Sequence, residues 1–279
     1  MKYSVNLSLL ALVTFVFNMF YMAAANAATP IPAPPQVAAK NYILVDFNSG
    51  RLLAEKDADE QVEPASITKL MTGYVIYREL DSGRMSLDDM VTISEKAWRM
   101  GGSRMYVEVG KQVSVRELLK GMVIQSGNDA TVALAEHIAG TEDAFVQLMN
   151  EYAAQLGMTN TMFLNSTGWP AEGHLTTARD ISKLAIAVIA EFPEYYSWYK
   201  EKVYTYNNIK QYNRTKLLWR DNSVDGMKTG HTESAGYCLV SSALRSDMRL
   251  VAVVLGTDSE KARASVSQSL LSYGFRFFE

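Results

Sequence analysis

Ser66 and Lys69 stand three residues apart in Pro64-Ala65-Ser66-Ile67-Thr68-Lys69-Leu70, where a helical rhythm of apolar residues begins. A serine hydroxyl is a poor nucleophile until a base takes its proton. An amine one turn away can be that base if its pKa falls, and desolvation and neighbouring cations both lower a lysine. The spacing alone does not decide, because Ser197-Trp198-Tyr199-Lys200 repeats it. Two more short motifs follow in order: Ser126-Gly127-Asn128, 60 residues on, and Lys228-Thr229-Gly230, a further 102 residues on. Each is weak alone, and Ser-x-Asn also occurs at Ser4-Val5-Asn6. The signal lies in the ordered triple.

If the three motifs converge, Lys228 becomes a cation beside Lys69 and helps lower its pKa. Two amines also attract the negative charge of a tetrahedral acyl-transfer intermediate. The first turn of a helix carries free N–H groups, so the backbone N–H of Ser66 supplies half of an oxyanion hole. Other chemistries have less to work with. His137 and His174 have no partner at metal-ligand spacing and no HExxH occurs, so both read as surface or packing histidines. No GxSxG elbow for a Ser-His-Asp hydrolase is present.

The elements that must hold these residues are readable from periodicity. Residues 42–47 and 51–55 form a hairpin across Asn48-Ser49-Gly50. A helix runs from Ser66 to about Leu80, with apolar residues at 67, 70, 71, 75, 76 and 80. Residues 90–93 read as a strand, and 115–125, 129–138 and 142–156 as three helices with Gly-containing turns. Further on come a helix over 178–189, a strand over 203–206, a strongly apolar hairpin over 237–243 and 249–256, and a closing helix over 264–277. The order predicts an α+β domain: an antiparallel sheet flanked by the first and last helices, with an inserted helical lobe.

Composition narrows the class. The 279 residues are 48% hydrophobic and 20% charged with a net charge of −3, ample for a core and without the basic stripe of a nucleic-acid binder. Lys2 precedes an uncharged run to Ala28 with a small-x-small site at Ala25-Asn26-Ala27. Residues 1–27 therefore read as a secretory signal peptide, with an uncleaved membrane anchor as the alternative. Residues 28–37 read as a Pro-rich leader outside the core. Export implies an oxidising space, yet Cys238 is the single cysteine and lies in an apolar strand, so it reads as a packed, inert thiol.

Over residues 38–279 the sequence resembles the serine-type D-Ala-D-Ala carboxypeptidases, low-molecular-mass penicillin-binding proteins of bacterial cell-wall metabolism. The three motifs carry the likeness, with residues 42–55, 64–72, 125–130, 142–150, 224–237 and 274–279 around them. The resemblance implies a β-lactamase/transpeptidase-like fold and no cofactor or metal. It implies peptidoglycan stem peptides as substrates, β-lactams as inhibitors and a periplasmic or wall-side location. It makes Ser66 the nucleophile and Lys69 its base, with Ser197-Lys200 the decoy. It puts the other half of the oxyanion hole at the N–H of His231. Ser126 would relay a proton to the leaving D-alanine, and Asn128 would hold the substrate's peptide group. Lys228 and Thr229, with Gly230 beside them, would orient the acyl-donor end and the free carboxylate. Arg263 aligns with the family's carboxylate-handling arginine, and Arg214 with a second family arginine near the site.

Departures from the family pattern shape the expectation. The familiar β-lactamase glutamate ahead of a Leu-Asn pair is replaced here by Thr161 ahead of Leu164-Asn165, so a penicillin is expected to stay on the enzyme. The stretch 99–105 is shorter than in some relatives, and the sequence reads as lacking the family's C-terminal β-rich domain and amphipathic anchor, which leaves membrane association open. A D,D-endopeptidase uses the same machinery, but its branch tends to place Glu at the middle of Ser126-Gly127-Asn128. A β-lactamase and a non-catalytic wall- or drug-binding module remain as further alternatives. The intact Ser66, Lys69 and Lys228 weigh against the last.

Overall fold

The computed structural model describes residues 31–278. The expected signal peptide and residues 28–30 of the leader lie outside the described residues. The hairpin forms as the sequence predicts, from β1 (Asn41–Asp46) and β2 (Leu52–Lys56). A 3-10 turn, Ala65–Thr68, then runs into α1 (Lys69–Asp81). The helical lobe follows. It comprises a ribbon of β3 (Met90–Thr92) and β4 (Gln112–Ser114), and helices α2 (Glu95–Trp98), α3 (Val115–Lys120), α4 (Asn128–Ala139) and α5 (Glu142–Gln155). Next come α6 (Ala178–Glu191), α7 (Pro193–Tyr196) and a small hairpin of β5 (Val203–Tyr206) and β6 (Ile209–Tyr212). The chain ends with β7 (Val224–Thr232), β8 (Gly236–Arg245), β9 (Met248–Thr257) and α8 (Glu260–Phe277).

The main sheet has the order β2-β1-β9-β8-β7 and is antiparallel throughout. Both faces are covered, which is why the central strands read as unbroken apolar runs. Leu250, Ala252 and Val254 of β9 turn toward α8 and pack with Val266, Leu270 and Leu271. Val251, Val253 and Leu255 turn the other way, into a larger core shared with α1, α4 and α6. α1 is the axis of that core: residues 69 to 77 are all buried. Its first residue, Lys69, is thereby sealed from water at 1% exposure. Thr141, Thr177 and Ser259 cap α5, α6 and α8 by accepting from the N–H three residues on.

The structure differs from the sequence reading at four places that matter to the site. Ser66 sits in the 3-10 turn rather than in the α-helix proper. The expected helix over 115–125 loosens into a π turn, Gly121–Gln125, that ends on Ser126 in the left-handed conformation at φ 66°. β7, which holds Lys228-Thr229-Gly230, is a strand that the polar sequence Val-Asp-Gly-Met-Lys-Thr-Gly-His-Thr concealed. The closing helix starts at Glu260, so Arg263 lies in its first turn.

α8 approaches the sheet through Gly274, where an added Cβ would stand 2.5 Å from Leu250 Cδ1. Gly274→Ala should cost about 1–3 kcal/mol in overpacking, offset by about 1 kcal/mol of helix propensity. In a Leu250→Ala background, itself destabilised by about 2–5 kcal/mol, the same change should become stabilising. Chemical denaturation of the four proteins measures that reversal of sign.

Candidate active site

The three motifs meet in one cleft of about 610 Å³, lined by Ser66, Ser126, Asn128, Arg214, Thr229, Gly230, His231 and Arg263 among others. A 3-10 turn has three residues per turn, so side chains at i and i+3 eclipse. Ser66 and Lys69 are therefore stacked, with Lys69 Nζ 3.0 Å from Ser66 Oγ. Lys69 Nζ also donates to Asn128 Oδ1 and to the Thr167 carbonyl, each at 2.6 Å. A neutral amine has two hydrogens and one lone pair. With the two carbonyl-type oxygens taking its hydrogens, a neutral Lys69 has its lone pair left for the Ser66 hydroxyl.

Burial pushes the Lys69 ammonium down to about 7, against the opposing pull of the Asp129 and Glu142 carboxylates. Lys228 was expected to lower Lys69, but burial is the cause that acts. The electrostatic pressure falls on Lys228 instead, held well below the usual lysine range by burial, then by Lys69, Arg214 and Arg263. Lys228 Nζ donates to Ser126 Oγ at 2.7 Å and to the Thr229 carbonyl at 3.1 Å. Two hydroxyl–amine pairs thus face one cleft, from α1 and its leading turn on one side and from β7 on the other.

β7 is the outer strand of the sheet on this side. Gly230 lets it lie against the Ser66 turn: an added Cβ would meet Ala65 Cβ and the Pro64 carbonyl at 3.1 Å. Arg263 reaches from α8 and donates to the Gly230 carbonyl at 3.1 Å, with its guanidinium over the Tyr237 ring. It is 4% exposed and braces the strand. Arg214 donates to Ser103 Oγ at 3.2 Å, while its buried Nε has no partner among the described residues. His231 stacks on Tyr237 at the cleft's edge. Asn128 donates to the Gly101 carbonyl at 2.8 Å while accepting from Lys69.

The decoy is informative. Ser197–Lys200 is also a 3-10 turn, so its local geometry matches that of Ser66–Lys69. Both of its ends are exposed, and Ser197 Oγ donates to the Glu194 carbonyl. Cys238, as read from the sequence, is buried, and burial pushes its thiol up to about 11.

The sequence reading missed the residues that hold the cleft's walls. Asp129 is 1% exposed and collects the N–H groups of Met105, Tyr106, Val107 and Ala130 at 2.8–3.2 Å. It fixes the rim loop and holds Tyr106 at φ 70°. Across the cleft, Asn165 Oδ1 accepts from the N–H groups of Thr167, Gly168 and Trp169. That fixes its amide, so Asn165 Nδ2 donates to His174 Nδ1 at 3.2 Å, and His174 Nε2 carries the hydrogen that faces Thr68 Oγ1 at 3.1 Å. His174 is neutral in this arrangement, and burial takes it down to about 4 despite Glu63. Gly168, at φ 83°, lies so close to the Ser66 turn that a Cβ would stand 1.8 Å from the Ala65 carbonyl oxygen. Ala65 and Ser126 themselves have positive φ, 45° and 66°. Such backbone strain, about 1–3 kcal/mol per residue, persists only where the surroundings enforce it. Thr161 bonds Thr176 and Asp180 and does not line the cleft.

Residues 27–259 match the family model described as D-alanyl-D-alanine carboxypeptidase. The D-alanyl-D-alanine carboxypeptidase DacC of Escherichia coli strain K12 is 48% identical, over 94% of this chain and 68% of the relative. The crystal structure of penicillin binding protein 5 from Haemophilus influenzae superposes with a TM-score of 0.86 at 46% identity, covering 88% of this chain and 72% of that one. Penicillin-Binding Protein D2 of Listeria monocytogenes, solved in its ampicillin-bound form, gives a TM-score of 0.81 at 28% identity, over 88% of this chain and 100% of that one.

Two outcomes test this geometry. Gly168→Ala must displace the Ser66 turn, and the rate of covalent labelling of the protein by a penicillin should fall by about 10²-fold or more, measured by stopped-flow fluorescence. The unfolded state binds a proton at an ordinary histidine near 6.5, whereas folded His174 does so only near 4. Stability from this group is therefore complete above about 6.5 and is lost as pH falls toward 4, by roughly 3 kcal/mol. His174→Gln should flatten that part of the stability–pH curve.

Proposed function

The chain belongs to the D-alanyl-D-alanine carboxypeptidase family, peptidase S11, and from that premise we propose that Ser66 is the acylated nucleophile of a serine-type carboxypeptidase that removes the terminal D-alanine of peptidoglycan pentapeptides. The carrying observation is the sealed Lys69 amine, 3.0 Å from Ser66 Oγ with its other contacts both acceptors.

Neutral Lys69 takes the Ser66 proton as Oγ attacks the carbonyl carbon of the penultimate D-alanine. The oxyanion is held by the N–H groups of Ser66 and His231. Ser126, held by Lys228, relays the proton from Lys69 to the departing D-alanine nitrogen, so that Lys69 is neutral and Ser126 a hydroxyl again as the C–N bond breaks to leave an ester on Ser66. Water then cleaves the ester and restores the hydroxyl. The substrate's free carboxylate falls to Arg214, which lines the cleft beside Ser103. Arg263 contributes by bracing Gly230. Asn128 orients Lys69 on one side and takes the substrate amide on the other.

The same site accepts β-lactams, whose ring opening gives the same ester. Thr161 is bonded away from the cleft, which supports a long-lived penicilloyl-enzyme over rapid hydrolysis. Residues 38–279 form the catalytic domain in this proposal, carried across the inner membrane by a signal peptide over residues 1–27. Among the described residues, no helix is long and apolar enough to cross a membrane.

Incubation with benzylpenicillin followed by peptide mapping should place a stable penicilloyl adduct on the Ser66 peptide, absent in Ser66→Ala. D-alanine release from a D-Ala-D-Ala tripeptide should disappear with it. Lys69→Arg should lose about 10³-fold or more in acylation, since a guanidinium keeps its proton. Wild-type acylation should rise with pH through about 7, where Lys69 becomes neutral, and level off above. Turnover of the drug without an adduct, or a flat pH profile, contradicts the assignment.

A further inference from the structure

We propose that Glu142 and Lys96, which touch none of the reacting atoms, form a charge pair that positions Lys69 and sets the pH at which it becomes a base. The inference rests on the role given to Lys69 above.

Glu142 occupies the first turn of α5 and is 8% exposed. Its Oε1 accepts from Ser166 N at 3.0 Å and Ser166 Oγ at 2.7 Å, and its Oε2 pairs with Lys96 Nζ of α2 at 2.8 Å. The Ser166 carbonyl accepts from Thr72 Oγ1 of α1 at 2.6 Å. The next carbonyl, that of Thr167, grips Lys69 Nζ. Lys96, Glu142, Ser166, Thr167 and Lys69 thus form one unbroken chain, with a single peptide unit between its hydrogen bonds. If the Glu142 contact is lost, the carbonyl that aims the Lys69 lone pair loses its anchor.

A neutral acceptor would satisfy Ser166 equally well, and burying a carboxylate is costly. What the charge adds is a field on Lys69. Burial alone would raise the Glu142 carboxyl, but Lys96 and Ser166 hold it below the usual range, so it is an anion at neutral pH. Burial likewise opposes charge on Lys96, and Glu142 more than restores it.

The groups facing Lys69 are Asp129 from α4, Glu142 from α5 and the amine Lys228 from β7. His174, behind Thr68, is neutral. Glu136 of α4 and Asp143 of α5 face Lys96. Asp129 is saturated by four backbone N–H groups. The Glu142–Lys96 pair is different because its cation is half-exposed, at 50%. Glu142 also lines a recess of about 340 Å³ with Asn165 and Arg99, which shares Thr167 and Trp169 with the cleft. This is the place where the field on Lys69 is adjustable without touching the cleft.

The two partners must act with opposite sign. Glu142→Gln keeps an oxygen for Ser166 but removes a negative charge, so the Lys69 ammonium is disfavoured. The rising limb of acylation against pH should move down by about half to one unit. Lys96→Met leaves Glu142 uncompensated, so the limb should move up by a similar amount. The high-pH plateau of each should stay within about threefold of wild type, because neutral Lys69 keeps its contacts.

The measurement is the second-order rate of penicilloylation from pH 5 to 10 for wild type and both variants, with thermal melts as the folding control. Opposite displacements establish the charge pair. Unmoved midpoints, or displacements in the same direction, overturn it. If Glu142→Gln does not fold, Lys96→Met decides alone: an upward shift supports the pair and an unmoved limb overturns it. Wild-type acylation at Ser66 is read in the same experiment, so failure of the nucleophile assignment is seen separately.

Discussion

The removal of Lys69 from water is the constraint on which the site depends. A lysine at a helix start is ordinarily a cation and useless as a base. Here α1 runs through the middle of the larger core and carries Lys69 in with it. The cost of burying an ammonium is what brings its pKa to about 7. Fold and chemistry are therefore one statement. The sheet, α4 and α6 enclose α1 for packing reasons, and the enclosed end of α1 carries an amine that burial brings down to about 7. Lys228 arrives by a different route, on the outer strand β7, and meets the same dry cleft.

A buried amine is useful only if its lone pair is aimed, and the aiming comes from the walls. Asp129 and Asn165 gather backbone N–H groups of the two loops that flank the cleft. Glu142 ties the second loop to α5 and α2. Left-handed residues at Ala65, Tyr106 and Ser126 cluster around the same space. Strain of this kind is held by the anchors, so rigid loops and strained residues are two aspects of one arrangement. The contact of Gly168 with the Ala65 carbonyl locks the Ser66 turn to one of these walls.

The sequence disclosed the parts that follow local rules. β1, β8 and β9 were legible because both faces of the sheet are covered, so Ile43-Leu44-Val45 and Leu250 to Leu255 are apolar without interruption. Ser66, Lys69, Ser126, Asn128 and Lys228 were legible as an ordered set of motifs, and the structure brings them together. β7 was hidden because a cleft-lining outer strand interleaves Asp, Lys, His and two Gly with its strand formers. The clearest limit is the pair of Ser-x-x-Lys turns. Ser66–Lys69 and Ser197–Lys200 share residue types, spacing and 3-10 geometry. They differ in what distant segments place over them, and that is a long-range property. Asp129 and Glu142 were overlooked for a similar reason, since a carboxylate in a helix's first turn ordinarily reads as a favourable end charge.

The most direct test of the account is the titration of Lys69 itself. Lysines labelled with ¹³C at Cε can be followed by NMR from pH 5 to 11, with Lys69→Arg identifying the resonance. The account predicts a lysine signal that titrates near 7, well apart from the exposed lysines near 10.4. A Lys69 resonance that stays with the exposed group would mean that burial does not make this amine a base, and the proton would have to leave Ser66 by another path.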